Sequence, residues 1–346
     1  MTVRVETTSD ADEWDACVEQ SPQTGFFHQH DALATLADHF DARLHTLVGY
    51  VGQEPVGVFP VFGLERGPLW VAASQPPGVE INTGPALLNH EKLKQRKAEK
   101  RHRKFLSGCM EFVEEVLDPD YCKIATTDRY DDVRPLVNHG LDVRPSYTYV
   151  LDLEPGAEEL MAQFSSDARS NVRNTDEDRY EIREGGVEEV ARIVSFVRRR
   201  YDEQDEDHYL DADLATDLYE TLGDEAVRPY VCEVDGEVES GLLALEYGDT
   251  VYRWQGGPRP RVDVPVNDLL DWRVIRDAVE RDLARYDLVG AMLPRLCEYK
   301  AKFGPEPRPV YLAERRNLTA KLASETYRGL RTLRGLQTFR GLSLTD

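Results

Sequence analysis

Arg169 and Arg173 stand four residues apart, so on a helix both guanidiniums share one face and can act together on one anion. Ser165 or Ser166 just upstream is a natural N-cap, and a helix N-terminus adds positive potential at the same place. Such a group would clamp a phosphate. The same residues would also make a solvated face paired with Asp167, Asp176 or Glu177. Lys300, beside Tyr299 and close to Phe303, is an ammonium that could meet developing negative charge, or one that snorkels over apolar surface. Tyr299, Asp287 and Glu298 are the nearby groups able to accept a proton from an attacking nucleophile.

A third cluster is Gly256-Gly257-Pro258-Arg259-Pro260-Arg261, between a strand ending near Gln255 and a helix beginning at Asn267. Two glycines, two arginines and a helix N-terminus can hold a phosphate, which makes Gly256, Gly257, Arg259, Arg261 and Asn267 the cofactor-binding candidates. With Pro258, Pro260 and Pro265 the same stretch also reads as a stiff surface loop. Trp254 just before it would wall a ligand pocket or belong to a core at strand spacing. His208 and Tyr209, in an acidic loop after Arg198-Arg199-Arg200, either reach the cleft mouth or stay solvated.

Other chemistries find little support. The five cysteines have no CxxC spacing and no histidine in a zinc-ligand pattern, so no metal is expected and buried thiols are the simple account. There is no G-x-S-x-G nucleophile elbow. The net charge is −22, and of 42 basic residues nine are Lys and 33 Arg. Such a surface suits a cytoplasm of very high salt, where ions screen carboxylate repulsion. It argues against DNA as a partner, which needs basic surface. Lys300 and Lys302 persist in a chain whose usual base is arginine, which tilts Lys300 towards function. No apolar run of about 18 residues occurs, and MTVRVETTSDADEW lacks the pattern of a signal peptide, so a cytoplasmic protein is expected.

Positioning these residues requires two α/β halves, residues 1–150 and 151–313, followed by a basic tail, 314–346. In the first half the spacing predicts helices over Asp10–Glu19 and His30–Phe40 and strands over Leu44–Val51 and Val56–Phe62. A long helix from His90 to Val116, the strand Cys122–Thr126 and the helix Asp131–His139 follow. In the second half helices are expected at Ala157–Phe164, from Ser165 or Ser166, and at Val187–Tyr201. Strands are expected at Tyr230–Val234, Glu239–Glu246 and Val251–Gln255, then the helix Asn267–Leu283 and the strand Tyr286–Gly290. Gly52–Gly57 and Gly236–Gly241 share a G-x4-G hairpin followed by an apolar strand, and each half then runs helix to strand. Two tandem copies of one unit is the economical account.

At this point the chain resembles the FemAB-like and related GNAT-type acyltransferases. The resemblance rests on Trp14, Phe26-Phe27-His28-Gln29, the hairpin at Gly52 and Gly84-Pro85. It continues in the Arg169-bearing helix start, the passage from Asn267–Leu283 to Tyr286–Gly290, and Tyr299-Lys300-Ala301-Lys302-Phe303-Gly304. It implies two tandem GNAT-like units, each a mixed, splayed sheet flanked by helices; the second is the expected active one because Arg169 and Lys300 flank it. An acyl thioester lies against the splayed edge, and an amine or hydroxyl attacks it. Catalysis then rests on placement and oxyanion stabilisation. It also favours Arg169 as a clamp; by their own residue chemistry, Lys300 and Tyr299 are the catalytic candidates and Arg169, Arg173 and Trp254 the substrate-binding ones. The Q/R-x-x-G-x-G/A loop of GNAT acetyltransferases is absent, and the Gly256-Gly257 stretch stands in its place. That departure leaves two donors open, acyl-CoA and aminoacyl-tRNA; the expected acceptor is a saccharide or a lipid-linked precursor. A non-catalytic GNAT-fold binding protein is the alternative from another class.

Two basic stretches break the acidic trend. Lys92 to Lys104 carries eight basic residues and reads as one exposed helix, docking to the acidic body, to a partner or to RNA. In the tail, Tyr327, Leu330, Leu333, Leu336, Phe339 and Leu342 alternate with arginines. Residues 327–342 would form a peripheral anchor on anionic lipid at the inner membrane face, or a helix on the protein body.

Overall fold

Local signals set most element boundaries. Asp10 accepts the N–H of Glu13 and opens the helix Ala11–Val18, while Ser165 accepts from Ala168 and opens the helix Ser166–Asn174. The computed structural model describes residues 2–76, 79, 82–203, 210–257 and 262–321. Arg259, Arg261, His208, Tyr209 and the 327–342 segment lie outside the described residues.

In chain order the first half comprises β1 (Arg4–Thr8), α1 (Ala11–Val18), α2 (His30–His39), β2 (Arg43–Val51), β3 (Glu54–Arg66), β4 (Leu69–Ala73) and β5 (Ala86–Leu87). Helix α3 (Gln95–Phe112), β6 (Tyr121–Ala125), α4 (Arg134–Asn138) and β7 (Asp142–Asp152) complete it. Next come α5 (Ala157–Gln163), α6 (Ser166–Asn174), β8 (Tyr180–Glu184), α7 (Val187–Asp202), α8 (Ala212–Leu222), β9 (Val227–Val234), β10 (Glu237–Tyr247) and β11 (Thr250–Gly256). The chain then forms α9 (Val266–Glu280), β12 (Arg285–Asp287), α10 (Pro294–Lys300) and β13 (Glu306–Arg316).

The long helix expected from His90 is divided. A separate 3-10 turn spans His90–Lys92, Leu93 and Lys94 are extended, and α3 starts at Gln95. Lysines crowd the positive end of the helix dipole there, and no side chain caps it. The helix expected over Asp131–His139 shortens to α4.

The strands form one mixed sheet in the order β1-β2-β3-β4-β6-β13-β7-β12-β11-β10-β9-β8, with β5 beside β3. Two parallel pairs, β4 with β6 and β11 with β12, occupy equivalent places in the two halves. β7 leaves the first half to pair with β12, and residue 150 lies inside it. β13 returns from the second half to pair with β6 and β7. The halves thus exchange their last strands.

Apolar packing joins them as well. One cluster combines Trp14, Phe26, Phe27 and Leu33 with Val190, Ile193, Leu214 and Trp254, so α1 and α2 share a core with α7 and α8. A second cluster packs α5 and α9 on the other face, and a third packs α3 on β2, β3 and β6. Among the described residues, no helix is long and apolar enough to cross a membrane.

Candidate active site

β11 and β12 are in register only from Thr250–Arg285 to Tyr252–Asp287. Beyond that point β11 continues to Gly256, while Leu288 donates its N–H to Tyr149 and the chain follows β7 instead. The two strands therefore splay apart. Val289 and Gly290 turn the chain away with φ of 49° and 74°. The buried ammonium of Lys300, at the end of α10, donates to the Val289 and Gly290 carbonyls.

A cavity of about 280 Å³ opens on the β11 side of this splay. It is lined by Trp254, Gln255, Gly256 and Gly257 of β11 and its turn, Asn267 of α9, and Arg200 and Tyr201 of α7. The turn is tightly built. Gly257 donates its N–H to Gly241 at 3.0 Å, and Asn267 donates to the Gly257 carbonyl at 3.2 Å. Gly256 sits at φ 133°, and a Cβ there would lie 2.4 Å from the Gly241 carbonyl oxygen. Only glycine fits. The charges are one-sided: among the described residues this lining holds Arg200, Arg253, Arg295 and Lys300 and no carboxylate.

Arg253 is fixed from behind. Its Nε donates to Asp271 at 2.8 Å, and Tyr286 and Tyr299 donate to the same fully buried carboxylate at 2.5 and 2.6 Å. Burial, and after it the Asp271 charge, push both phenols well above the ordinary tyrosine range, so both remain donors.

A second cavity, of about 330 Å³, opens on the other side of Lys300, over β6, β13 and β7. Tyr201, Val289, Leu296 and Lys300 line both cavities, so the two meet there. Asp287 faces this central cavity and is 8% exposed. One of its oxygens accepts from Thr148 Oγ1 at 2.5 Å and from the Val289 N–H at 2.8 Å. Burial raises its carboxyl to about 6, against the lowering effect of the Thr148 bond. Two ion pairs tie the halves beside it, Arg285 with Asp128 and Arg129 with Asp249.

The structure thus gathers Lys300, Trp254, Gly256, Gly257 and Asn267 around one cavity. It leaves three expected residues out of both linings. Arg169 donates to the Ala162 carbonyl at 2.8 Å, Arg173 is exposed on α6, and Tyr299 is turned into the Asp271 network. Glu298 is exposed. Asp287, one of three proton acceptors weighed from the sequence, is the one that reaches a cavity. Arg200, Tyr201, Arg253 and Arg295 were not singled out, and their positions depend on how α7 and α10 fold over β11.

Residues 162–301 match the model of the GNAT acetyltransferase domain. The second half of the chain thus carries the signature of a GNAT acetyltransferase domain. Its fold is that of FemX, at 11% identity and a TM-score of 0.68, over 89% of this chain and 96% of that one. It is also similar to a tandem GNAT protein from the clavulanic acid biosynthesis pathway, at 12% identity and a TM-score of 0.53, over 90% and 98% of the two chains. A third likeness is to the C-terminal domain of an Agrobacterium fabrum protein named as a lysylphosphatidylglycerol synthetase, at 14% identity, TM-score 0.54, over 92% and 96%. These likenesses show the fold. None of the curated proteins compared matches the chain by sequence. In GNAT terms the β11–β12 pair is the splayed pair of the second half, and β4–β6 is its counterpart in the first.

Proposed function

We propose that the acyl thioester of the donor lies in the cavity beside the glycine turn, and that the acceptor enters through the central cavity. The observation that carries this is the meeting of the two cavities at Lys300. The acceptor amine or hydroxyl attacks the thioester carbonyl, the carbon–sulfur bond breaks, and the thiolate leaves. Asp287, with its carboxyl raised to about 6, takes the acceptor's proton, a role suited to a base working near neutrality. The Lys300 ammonium faces the oxyanion.

Acyl-CoA is the donor that the cavity suits best, because a lining with cations and no carboxylate favours a phosphate-bearing molecule, even with Arg253 paired to Asp271 and Arg200 to Glu203 behind it. Gly256, Gly257 and Asn267 would hold its pyrophosphate end and Trp254 would wall the acyl group, with Arg259 and Arg261 as further candidates. An acceptor on a saccharide or lipid-linked precursor fits a cavity whose rim exposes Met292 and Leu293. The protein then works in the cytoplasm, at high salt, with 327–342 as its contact to the inner membrane face.

Aminoacyl-tRNA is the second donor, favoured by the basic residues that α3 leaves exposed, Arg96, Lys97, Lys100 and Arg103. Thermal stabilisation by acyl-CoAs in molar KCl separates the two. Acyl-CoA should raise the melting temperature of the wild type, and the Arg200→Gln/Arg295→Gln variant should lose the shift. No shift with any acyl-CoA would turn the assignment to charged tRNA.

A further inference from the structure

Outside the Lys92–Lys104 stretch only Lys123, Lys300, Lys302 and Lys321 occur, in a chain whose other bases are arginine. Two of these four, Lys123 and Lys300, line the central cavity. Lys300 is bonded to backbone and Lys302 to Asp268 and Asp167. Lys123 has neither arrangement. It stands on β6, with Cys122 and Ile124 on either side pointing into the α3 core, so its own side chain takes the opposite, cavity face.

Across the register from Lys123 is Glu314 of β13, the carboxylate that would ordinarily neutralise it. Both oxygens of Glu314 are engaged elsewhere. Arg144 binds one at 2.7 Å and Arg316 the other at 2.8 Å. Three cations thus surround one carboxylate, and among the described residues the Lys123 ammonium has no hydrogen-bond partner. Burial lowers its affinity for the proton, and Glu314 only partly offsets this. A half-buried cation without a partner is costly unless something that enters the cavity satisfies it.

We propose that Lys123 anchors an oxyanion subsite in the central cavity, which takes a phosphate or carboxylate group of the molecule that binds there. Its strand lies three interstrand steps from β12, roughly 14 Å across the sheet. A ligand that reaches both Lys123 and Asp287 therefore carries its anion well away from the group that reacts. Identifying that ligand with the acceptor rests on the transfer mechanism proposed above; the subsite itself does not.

Residue-resolved lysine methylation tests it. The full chain is treated with formaldehyde and a borane reductant at fixed KCl concentration, alone, with inorganic phosphate, or with acetate, and peptides are quantified by mass spectrometry. A bound anion keeps the Lys123 amine protonated and covered. Its methylation should therefore slow several-fold and saturably with one of the two anions, while Lys97 and Lys100 are unaffected. Slowing by phosphate alone assigns a phosphate-bearing ligand; slowing by acetate assigns a carboxylate. A Lys123 rate unchanged by either anion, or an equal slowing of the surface lysines, overturns the subsite. Failure of the transfer mechanism would show separately, as no acyl turnover with the footprint intact.

Discussion

The ammonium of Lys300 is bonded to the carbonyl of Val289, a β-branched residue held at φ 49°. The left-handed region costs such a residue roughly 1–2 kcal/mol, and it persists only where the surroundings fix it. Lys300, the Val289 N–H bond to Asp287 and burial of the Val289 side chain together fix it. The strained turn is where the strands part and where both cavities meet.

Lys300→Met should therefore act on two quantities. Leaving the Val289 and Gly290 carbonyls without their donor should destabilise the fold by about 1–3 kcal/mol in chemical denaturation. Acyl transfer should fall by roughly 10²–10³-fold if the ammonium faces the oxyanion. A variant that loses stability but keeps its rate would make Lys300 purely structural.

Asp287→Asn separates charge from hydrogen bonding, because the amide oxygen can still accept from Thr148 and Val289. The folded carboxyl, at about 6, lies above its unfolded value, so the native state holds the proton more tightly. Stability from this group is present below about pH 4 and lost as pH rises through 6, by about 3 kcal/mol in total. The variant should therefore melt higher than wild type at pH 8 and nearly equally at pH 4. Its kcat should drop by about 10²–10⁴-fold, and the rise of kcat/KM through pH 6 should disappear. Equal stability differences at both pH values would contradict the buried charge.

Much of this was legible in the sequence because the signals were local. The cap at Ser165, the hairpin turns at Gly52 and Gly236, and the apolar strands after them all act within a few residues. β13 was not legible. Pro307 and Pro309 argue against a central strand, yet they lie in the part of β13 that pairs with β7 alone; β6 joins only from Leu312. Nor could spacing separate Tyr299 from Lys300. They are neighbours on one short helix whose side chains diverge, one into the Asp271 network and one into the splay. The scarcity of lysine pointed to Lys300 and holds equally for Lys123, but its place in a cavity is a property of the sheet.

The two glycines of the turn should respond differently to alanine. At Gly256 a Cβ would meet the backbone of Gly241 and Leu242 at 2.4 and 2.6 Å, which cannot move without breaking β10. At Gly257 its one close contact would be Arg253 Nη2 at 2.4 Å, a side-chain end rather than backbone though its Nε is held by Asp271, besides the strain of φ 71°. Gly256→Ala should therefore cost several-fold more stability than Gly257→Ala, for which about 1 kcal/mol is expected. Gly257→Ala should instead raise KM for the donor by displacing Arg253. Similar melting temperatures for the two variants would show that the turn is looser than this geometry.

Tyr299→Phe tests whether that residue is a proton carrier or a strut. Its hydroxyl donates to Asp271 Oδ2, and burial and that charge hold the phenol in its protonated form. Asp271 keeps Arg253 and Tyr286 when Tyr299 is gone, so the charge pair stays compensated. Losing one bond to a charged acceptor should cost about 1.5–3 kcal/mol. Transfer should stay within a few-fold of wild type, with an unchanged pH profile. Asp271→Asn should be worse, about 3–5 kcal/mol, since it strips the counter-charge from the buried Arg253. A loss of two orders of magnitude in kcat for Tyr299→Phe, at a melting temperature near wild type, would return the proton to Tyr299 and displace Asp287 as the base.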